Sequence, residues 1–533
     1  MSLAARLVLE SLRLDLDPEE AVRERAETAL ALGVGGFIVF GGERRQVARL
    51  VRDLRDRAGR DLWIGADLER GPGQQFAGLP TLPPPAGLAA HPDPEEAARQ
   101  AGEITARGAR SVGVDLVFAP VLDLDIEPEN PIVGTRSFGA DPVAVARLAG
   151  TWIEGCQEQG VIACGKHFPG HGRTTADSHE EIPSVDVPAR ELDADLLPFR
   201  RLAGPLGAIL TAHVAYPTLE VEAPATLSRK LLTGLLREKL GFDGLIVTDA
   251  MNMSGFIDAG GVGHPPAVRA LLAGCDLLLY PEDLAATVDD LERAAREDER
   301  VAERIEEALE RGRRTRRRFT GLTERALRRG RKLARELGRE IKRELRELGL
   351  GEDAADTGLW LDPDEREQDG RDGGLPDPDV LQSAAIGLLS VQRVGGLPEW
   401  MRAGRPIRVI GVWDDREDRR RPRFGGRFVD ELLGAGWQAA LAESEDQPER
   451  IPSIVLVAST PQAWKGAAGL TPNGAARVRH ALSNPSGAYP VVFGHRRLLD
   501  ELADAGICAW STEPILELLA ARRLVSDASA SSA

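Results

Sequence analysis

Cysteine is scarce, with four residues in a chain of 533, at Cys156, Cys164, Cys275 and Cys508. They are too few and too scattered for a disulfide framework, and three lie in apolar or strand-like surroundings, so they are expected as reduced core residues. An excess of positive charge is also missing. The formal net charge is −17, which argues against a nucleic-acid or anionic-membrane partner, because both are held by clustered cations that displace counterions. The basic run Arg311 to Arg318 has no interleaved aromatic residue and sits in an acidic chain, so it reads as a solvated helix face. No apolar run approaches the roughly 20 residues that span a bilayer. The start, Met1-Ser2-Leu3-Ala4-Ala5-Arg6, lacks a positive cluster followed by an apolar core and a small-residue cleavage site, and the expected address is the cytoplasm. No Gly-x-Ser-x-Gly elbow lies at a strand end, and no Walker-type glycine loop is present, which removes two common chemistries.

What is present is enough apolar material for sizeable cores, 42% of residues, in a chain whose length suggests roughly two to four domains. Up to about residue 280, short apolar runs alternate with amphipathic stretches. The strand candidates are Gly36 to Phe40, Leu62 to Asp67, Leu116 to Pro120, Val161 to Gly165, Ala208 to His213, Leu245 to Asp249 and Asp276 to Tyr280, with Leu7 to Leu9 as an eighth. Helical periodicity covers Pro18 to Leu32, Pro94 to Arg107, Pro142 to Gln159 and Arg229 to Leu240. Near-continuous apolar strands in seven or eight βα units describe a parallel sheet covered by helices. That number favours a closed (β/α)8 barrel of the TIM type over residues 1–283, with an open doubly wound sheet as the alternative.

Residues 284–350 change character, with Glu and Arg three or four apart at helical spacing, and read as a charged helical connection. Residues 351–378 look like a polar linker. Strand candidates return at Ile407 to Val412, Ile454 to Ala458 and Val491 to Gly494, with helical segments between them, so residues 379–524 are expected to form a second, smaller α/β domain. It shows no catalytic constellation. Residues 525–533 are expected to be a fraying tail.

The stretch Gly165-Lys166-His167-Phe168-Pro169-Gly170-His171-Gly172-Arg173-Thr174-Thr175-Ala176-Asp177-Ser178-His179 concentrates three of the eight histidines in fifteen residues. It leaves an apolar strand candidate, and its glycines and proline stop regular structure. Asp67, Asp123, Lys166 with His167, His213 and Asp249 each follow or close an apolar run. In a barrel, such C-terminal strand ends converge on one mouth. A zinc site is disfavoured because Phe-Pro-Gly between His167 and His171 prevents the helical four-residue spacing that a zincin uses. Acid/base work by His179 and Asp177, with a carboxylate from another strand end, remains.

These residues resemble the bacterial β-N-acetylhexosaminidases of glycoside hydrolase family 3. The likeness rests on Lys166 to Gly172 followed by Asp177-Ser178-His179, on Asp67-Leu68-Glu69-Arg70-Gly71, Ala119 to Asp123 and Arg136-Ser137-Phe138-Gly139, and on Thr211 to Val214 and Phe242 to Asp249, in that family's order over residues 30 to 285. The resemblance implies a retaining exo-β-N-acetylglucosaminidase. Asp249 would be the nucleophile, His179 the general acid and base, and Asp177 the residue that orients its ring. Histidine suits such a transfer because its unperturbed pKa is about 6.5. Asp67, Arg136, Lys166 and His167 would bind the sugar, the alternative for Lys166 and Arg136 being a structural ion pair with Asp67 or Glu69.

Where close relatives place a further basic residue, this chain reads Pro72-Gly73-Gln74-Gln75. A contact there would be neutral, through Gln75, which favours plain terminal N-acetylglucosamine over an anhydromuramyl peptide. His171 is expected to shape its loop, and His213 to be a supporting or core histidine. The resemblance implies no metal and no organic cofactor, with a small saccharide as the partner. A phosphorylase using the same site, a catalytically silent sugar-binding protein and a β-glucosidase are the alternatives. Gly172 to His179 is expected to be a mobile excursion that closes on substrate.

Overall fold

Eight short parallel strands close on themselves in chain order. They are β1 (Val8–Arg13), β2 (Gly36–Phe40), β3 (Trp63–Ala66), β4 (Leu116–Val117), β5 (Ile162–Phe168), β6 (Ala208–Thr211), β7 (Leu245–Ala250) and β8 (Leu277–Leu279). Closure is explicit in β1, whose Leu9 pairs with Gly36 of β2 and whose Val8 pairs with Leu278 of β8. This computed structural model describes residues 3–175, 182–219, 223–253, 256 and 264–319, and most of 382–530 outside 402–405, 414–424, 443–450, 460–469 and 511–513. The closed barrel expected from the βα alternation is therefore the fold, and the open sheet is not.

The apolar runs are continuous because both strand faces are covered. Leu9, Ile38, Trp63, Leu116, Phe118, Ile162, Cys164, Ala208, Leu210, Leu245, Val247, Leu277 and Leu279 form the core inside the barrel. The residues between them, such as Phe37, Ile64, Ala163, Ile209, Ile246 and Leu278, are buried as well. Gly65 holds an inward position, where an added Cβ would stand 2.7 Å from the Phe118 ring, so its lack of a side chain makes room for that ring. Continuing the alternation to the C-terminal ends places Arg13, Phe40, Asp67, Lys166 and Asp249 on the inward series.

Helices return the chain after most strands, at Glu19–Leu32, Arg44–Ala58, Pro94–Ser111, Pro142–Glu158, Ala189–Leu202, Pro266–Ala273 and Leu284–Glu297, with π-type winding at Lys230–Lys239. Asp141 and Asp283 cap two of them, their carboxylates accepting from the amides of Val143 and Ala286. The strands depart from the sequence-based expectation mainly at β5. It does not stop at Gly165 but runs through Lys166, His167 and Phe168.

A further helix covers residues 299–319, and Phe319 joins the inner core. The basic run on this helix is not a purely solvated face. Arg311 and Arg304 reach the fully buried Asp276, at 2.9 and 2.5 Å, alongside Arg237 at 2.6 Å. Arg316 lies over the Trp63 ring, 3.8 Å from its centroid. Arg313 and Arg317, by contrast, pair with the exposed Glu310.

The chain divides into two compact units, one of Met1–Pro80, Ala98–Val133 and Ser137–Arg335, the other of Thr81–Ala97, Gly134–Arg136 and Glu336–Ala533. The second unit holds a six-stranded sheet in the order β11-β10-β12-β13-β14-β9. Its strands are β9 (Gln392–Val394), β10 (Pro406–Trp413), β11 (Gln438–Leu441), β12 (Ser453–Ser459), β13 (Ala488–Gly494) and β14 (Gly506–Cys508). All pairs are parallel except β14 with β9. Three short strands, β9, β11 and β14, carry too little apolar pattern to be foreseen. The last helix, Pro514–Ala530, runs through residues where the sequence predicts a fraying tail. The linker expected at 351–378 lies outside the described residues.

Asp276 ties the 299–319 helix to the barrel. Burial works to raise its pKa, but the three guanidinium groups outweigh burial and hold the carboxyl below its ordinary value. Asp276→Asn leaves three partly buried cations without their counterion and is expected to lower unfolding stability by about 3–5 kcal/mol, read from the urea midpoint. A depressed folded pKa means that this stabilisation is complete above about pH 4, where the unfolded carboxyl is also ionised, and is lost as pH falls through the lower folded value.

Candidate active site

Irregular pairing at two strand ends shapes the barrel mouth. The register between β5 and β6 shifts between Gly165 and Phe168, and that between β7 and β8 shifts between Val247 and Ala250. Lys166 and His167 lie inside the first shift and Asp249 inside the second. Strict alternation would send Lys166 and His167 to opposite faces, and an irregularity of this kind re-aims consecutive side chains.

Lys166 is buried, and its Nζ lies between two carboxylates, 2.7 Å from Asp67 Oδ1 and 2.6 Å from Glu69 Oε1. The structural ion pair considered for Lys166 is thus present with both acids at once. This does not conflict with sugar binding, because Asp67 keeps 29% of its side chain exposed. His167 turns to Asp123, which stands after the short β4, with Nδ1 2.6 Å from Asp123 Oδ2. The backbone amides of His167 and His171 also donate to Asp123, at 3.2 and 2.7 Å. Burial works to raise the Asp123 pKa, but His167, His171 and these donors hold it below the usual carboxylate value.

His171 shapes its loop. Its Nδ1 is 2.7 Å from Thr174 Oγ1, and its carbonyl accepts from Asn130 Nδ2 at 2.8 Å. The Asn130 carbonyl oxygen in turn accepts from the amides of Ile132 and Val133. Arg173 is held by Asp195 and Glu191 at 2.7 and 2.8 Å. Gly172 packs so closely on Leu124 that an added Cβ would lie 2.1 Å from its carbonyl oxygen. The excursion expected from Gly172 onward is therefore anchored at least through Thr174. Asp177 and His179 lie outside the described residues.

Asp249 is half-buried at the end of β7, its Oδ1 accepting from the amide of Ala250 at 2.8 Å. Burial works to raise its pKa, and His213, His167, the Ala250 amide and Lys166 together bring the carboxyl below its ordinary value. His213 is a supporting histidine here. Its ring bridges Thr226 Oγ1 at 2.8 Å and the Ala250 carbonyl at 3.1 Å, directly behind Asp249. Gln75 uses its carbonyl oxygen to accept from the Gly41 amide at 3.1 Å, which leaves its NH2 as the donating end. Arg136 ends the 3-10 turn Gly134–Arg136, part of the second compact unit, and its assignment rests on its motif alone.

Within the barrel unit the structure thus brings Asp67, Lys166, His167 and Asp249 to one mouth. Glu69, the ion-pair partner considered from sequence, holds Lys166 in place, while Asp123, Asn130 and Thr226 hold the rest without having been assigned such roles. For Asp123 the signal was there, an acid just past an apolar run. Asn130 and Thr226 carry no signal, since their partners are distant in the chain. Asp67 and Glu69 face Lys166, Asp123 faces His167 and Asp249 lies at the same mouth, so among these residues carboxylates outnumber the lysine, which suits stabilising positive charge that develops on a sugar ring. Among the described residues no group of three His, Cys, Asp or Glu side chains is disposed to hold a metal ion. No helix among them is long and apolar enough to cross a membrane.

Comparison with known proteins converges on the same unit. Residues 8–314 match the family model described as the glycosyl hydrolase family 3 N terminal domain. The chain is 40% identical over 291 residues to a protein of Tolumonas auensis named Beta-hexosaminidase, covering 53% of this chain and 84% of that one. It is 39% identical over 284 residues to a Pseudomonas aeruginosa protein of the same name, covering 52% and 83%. A solved glycoside hydrolase family 3 beta-N-acetylglucosaminidase from Paenibacillus sp. superposes with a TM-score of 0.75 at 26% identity, covering 98% of this chain and 96% of that one.

Burial and the neighbouring His167 push the His171 pKa down to about 4. A histidine with a lowered folded pKa stays neutral where its unfolded counterpart protonates, so stability is whole above about pH 6.5 and falls as pH drops towards 4, by on the order of 3 kcal/mol. Urea unfolding between pH 4.5 and 7 measures this. His171→Gln is expected to flatten the pH dependence in that window.

Proposed function

Because the chain belongs to glycosyl hydrolase family 3 and is a glycoside hydrolase of the β-hexosaminidase kind, we propose that it removes terminal β-linked N-acetylglucosamine with retention of configuration. The observation that carries this reading is Asp249, an ionised, half-exposed carboxylate on the inward series of β7, at the same mouth as Lys166, Asp67 and His167. A retaining glycosidase needs a carboxylate that bonds the anomeric carbon and later leaves under attack by water. A lowered pKa keeps Asp249 charged for the first step.

In this mechanism the sugar hydroxyls donate to the exposed part of Asp67. Lys166, oriented by Asp67 and Glu69, and His167, held by Asp123, fix the ring over Asp249. Buried groups of this type discriminate strongly, because a sugar without the matching hydroxyl leaves them unpaired. His179 protonates the leaving oxygen as Asp249 attacks the anomeric carbon. It then takes a proton from the water that releases the sugar, and Asp177 stabilises the charged ring between the two steps. The neutral Gln75 favours plain N-acetylglucosaminides over anionic muramyl substrates.

A second reading changes only the acceptor. A histidine acid/base does not repel phosphate as a second carboxylate would, so phosphate could replace water and release N-acetylglucosamine 1-phosphate. Chromatography of the products with and without phosphate separates the two.

A mechanism-based fluoro-sugar is expected to leave a mass adduct on the peptide that contains Asp249, and an adduct on another residue contradicts the assignment. His179→Ala is expected to lower kcat on an N-acetylglucosaminide by about 10²–10⁴-fold. Asp249→Asn is expected to abolish turnover while binding of N-acetylglucosamine persists. Binding with no turnover in the unaltered protein would instead indicate a silent sugar-binding barrel.

A further inference from the structure

The N-terminal face of the barrel, opposite the mouth, holds a cavity of about 630 Å³ that no part of the proposed chemistry uses. Among the described residues its wall carries four arginines, Arg55, Arg107, Arg110 and Arg316, and one carboxylate, that of Asp115. In a chain of net charge −17 such a concentration of cations calls for an explanation.

Asp115 does not neutralise it. Its Oδ1 accepts from the Ile64 amide at 2.9 Å, while its Oδ2 is shared by Arg55 at 3.2 Å and Arg316 at 2.9 Å. Arg107 pairs with Glu103 at 3.3 Å, on the helix Pro94–Ser111. Arg110 donates to the carbonyl of Gln159, and no carboxylate among the described residues pairs with it. Burial and the neighbouring Arg107 lower its pKa, the mark of a cation that lacks compensation.

Helix ends account for part of the charge. Three helices, Arg44–Ala58, Pro94–Ser111 and Pro142–Glu158, direct their C-termini at this face. Each contributes roughly half a negative charge. With Asp115 and the Glu103 that pairs with Arg107 they still leave an excess of about half a positive charge, centred on Arg110, the sign that a phosphomonoester of about −1.5 to −2 at neutral pH requires. Guanidinium groups suit phosphate because they bind its oxygens in pairs. Trp63, Ile162 and Phe319 add apolar wall for the rest of a small molecule, and the volume lies within the range of metabolite pockets.

We propose that this cavity binds a phosphate monoester of sugar size, at a site separate from the barrel mouth. Ile162 in its wall and Lys166 at the mouth lie four residues apart on β5, about 13 Å. The site therefore does not compete with the saccharide.

Isothermal titration of the full-length protein at 150 mM salt, with glucose 6-phosphate, inorganic phosphate and glucose as separate titrants, tests this. Glucose 6-phosphate is expected to bind in the sub-millimolar range, inorganic phosphate more weakly and glucose not at all. Arg110→Gln and, independently, Arg107→Gln are each expected to weaken the ester about tenfold or more while hydrolysis of an aryl N-acetylglucosaminide is unchanged. No binding at 10 mM ester overturns the proposal. So does equal affinity for inorganic phosphate, or binding indifferent to both substitutions.

Discussion

A single buried carboxylate, Asp123, organises the mouth of the barrel. It accepts from the amides of His167 and His171 and faces the His167 ring, so one acid after β4 holds the irregular end of β5 and the loop beyond it. A charge so deeply buried persists only when it is paired and hydrogen-bonded, and here every interaction that keeps it ionised also orients a residue of the site. The same logic holds next door, where Asp67 and Glu69 share Lys166. Lys166 with its two acids and His167 with Asp123 are mutually compensated, and His213 and Asn130 extend the set by bonding the Ala250 and His171 carbonyls.

The barrel is electrically divided between its two faces. The C-terminal face gathers carboxylates around one lysine. The N-terminal face gathers arginines around Asp115 and Asp276, several of them supplied by the 299–319 helix. That helix therefore does more than follow the barrel. Phe319 reaches the inner core, Arg316 covers Trp63, and Arg304 and Arg311 surround Asp276. An acidic mouth suits a reaction in which positive charge develops on the sugar ring, and an arginine-lined base suits an anion.

The sequence alone was enough for the barrel, because strands buried on both faces write continuous apolar runs and helices write a 3.6-residue period. The seven strand candidates between Gly36 and Tyr280 all became strands, and the eighth, Leu7 to Leu9, became part of β1. Where the pattern is short, as in β9, β11 and β14, the strands were not legible, since three or four residues against a neighbouring sheet carry little periodicity. The strand-end residues Asp67, Lys166, His167 and Asp249 were legible for a different reason. Polar residues closing apolar runs break the hydrophobic pattern, and in a closed parallel barrel such breaks share one end.

Side-chain types and their order along the chain were thus settled by sequence, including the acid and base candidates and the strand ends at which Lys166 and Asp249 sit. Which groups compensate each other was decided only by the tertiary structure. Lys166 meets two carboxylates nearly a hundred residues upstream, Asp123 meets amides more than forty residues downstream, and Arg316 crosses about two hundred residues to reach Asp115. The register shifts at Lys166 and Asp249 have the same origin. They arise from how each strand fits its neighbours, and no local propensity encodes the neighbour.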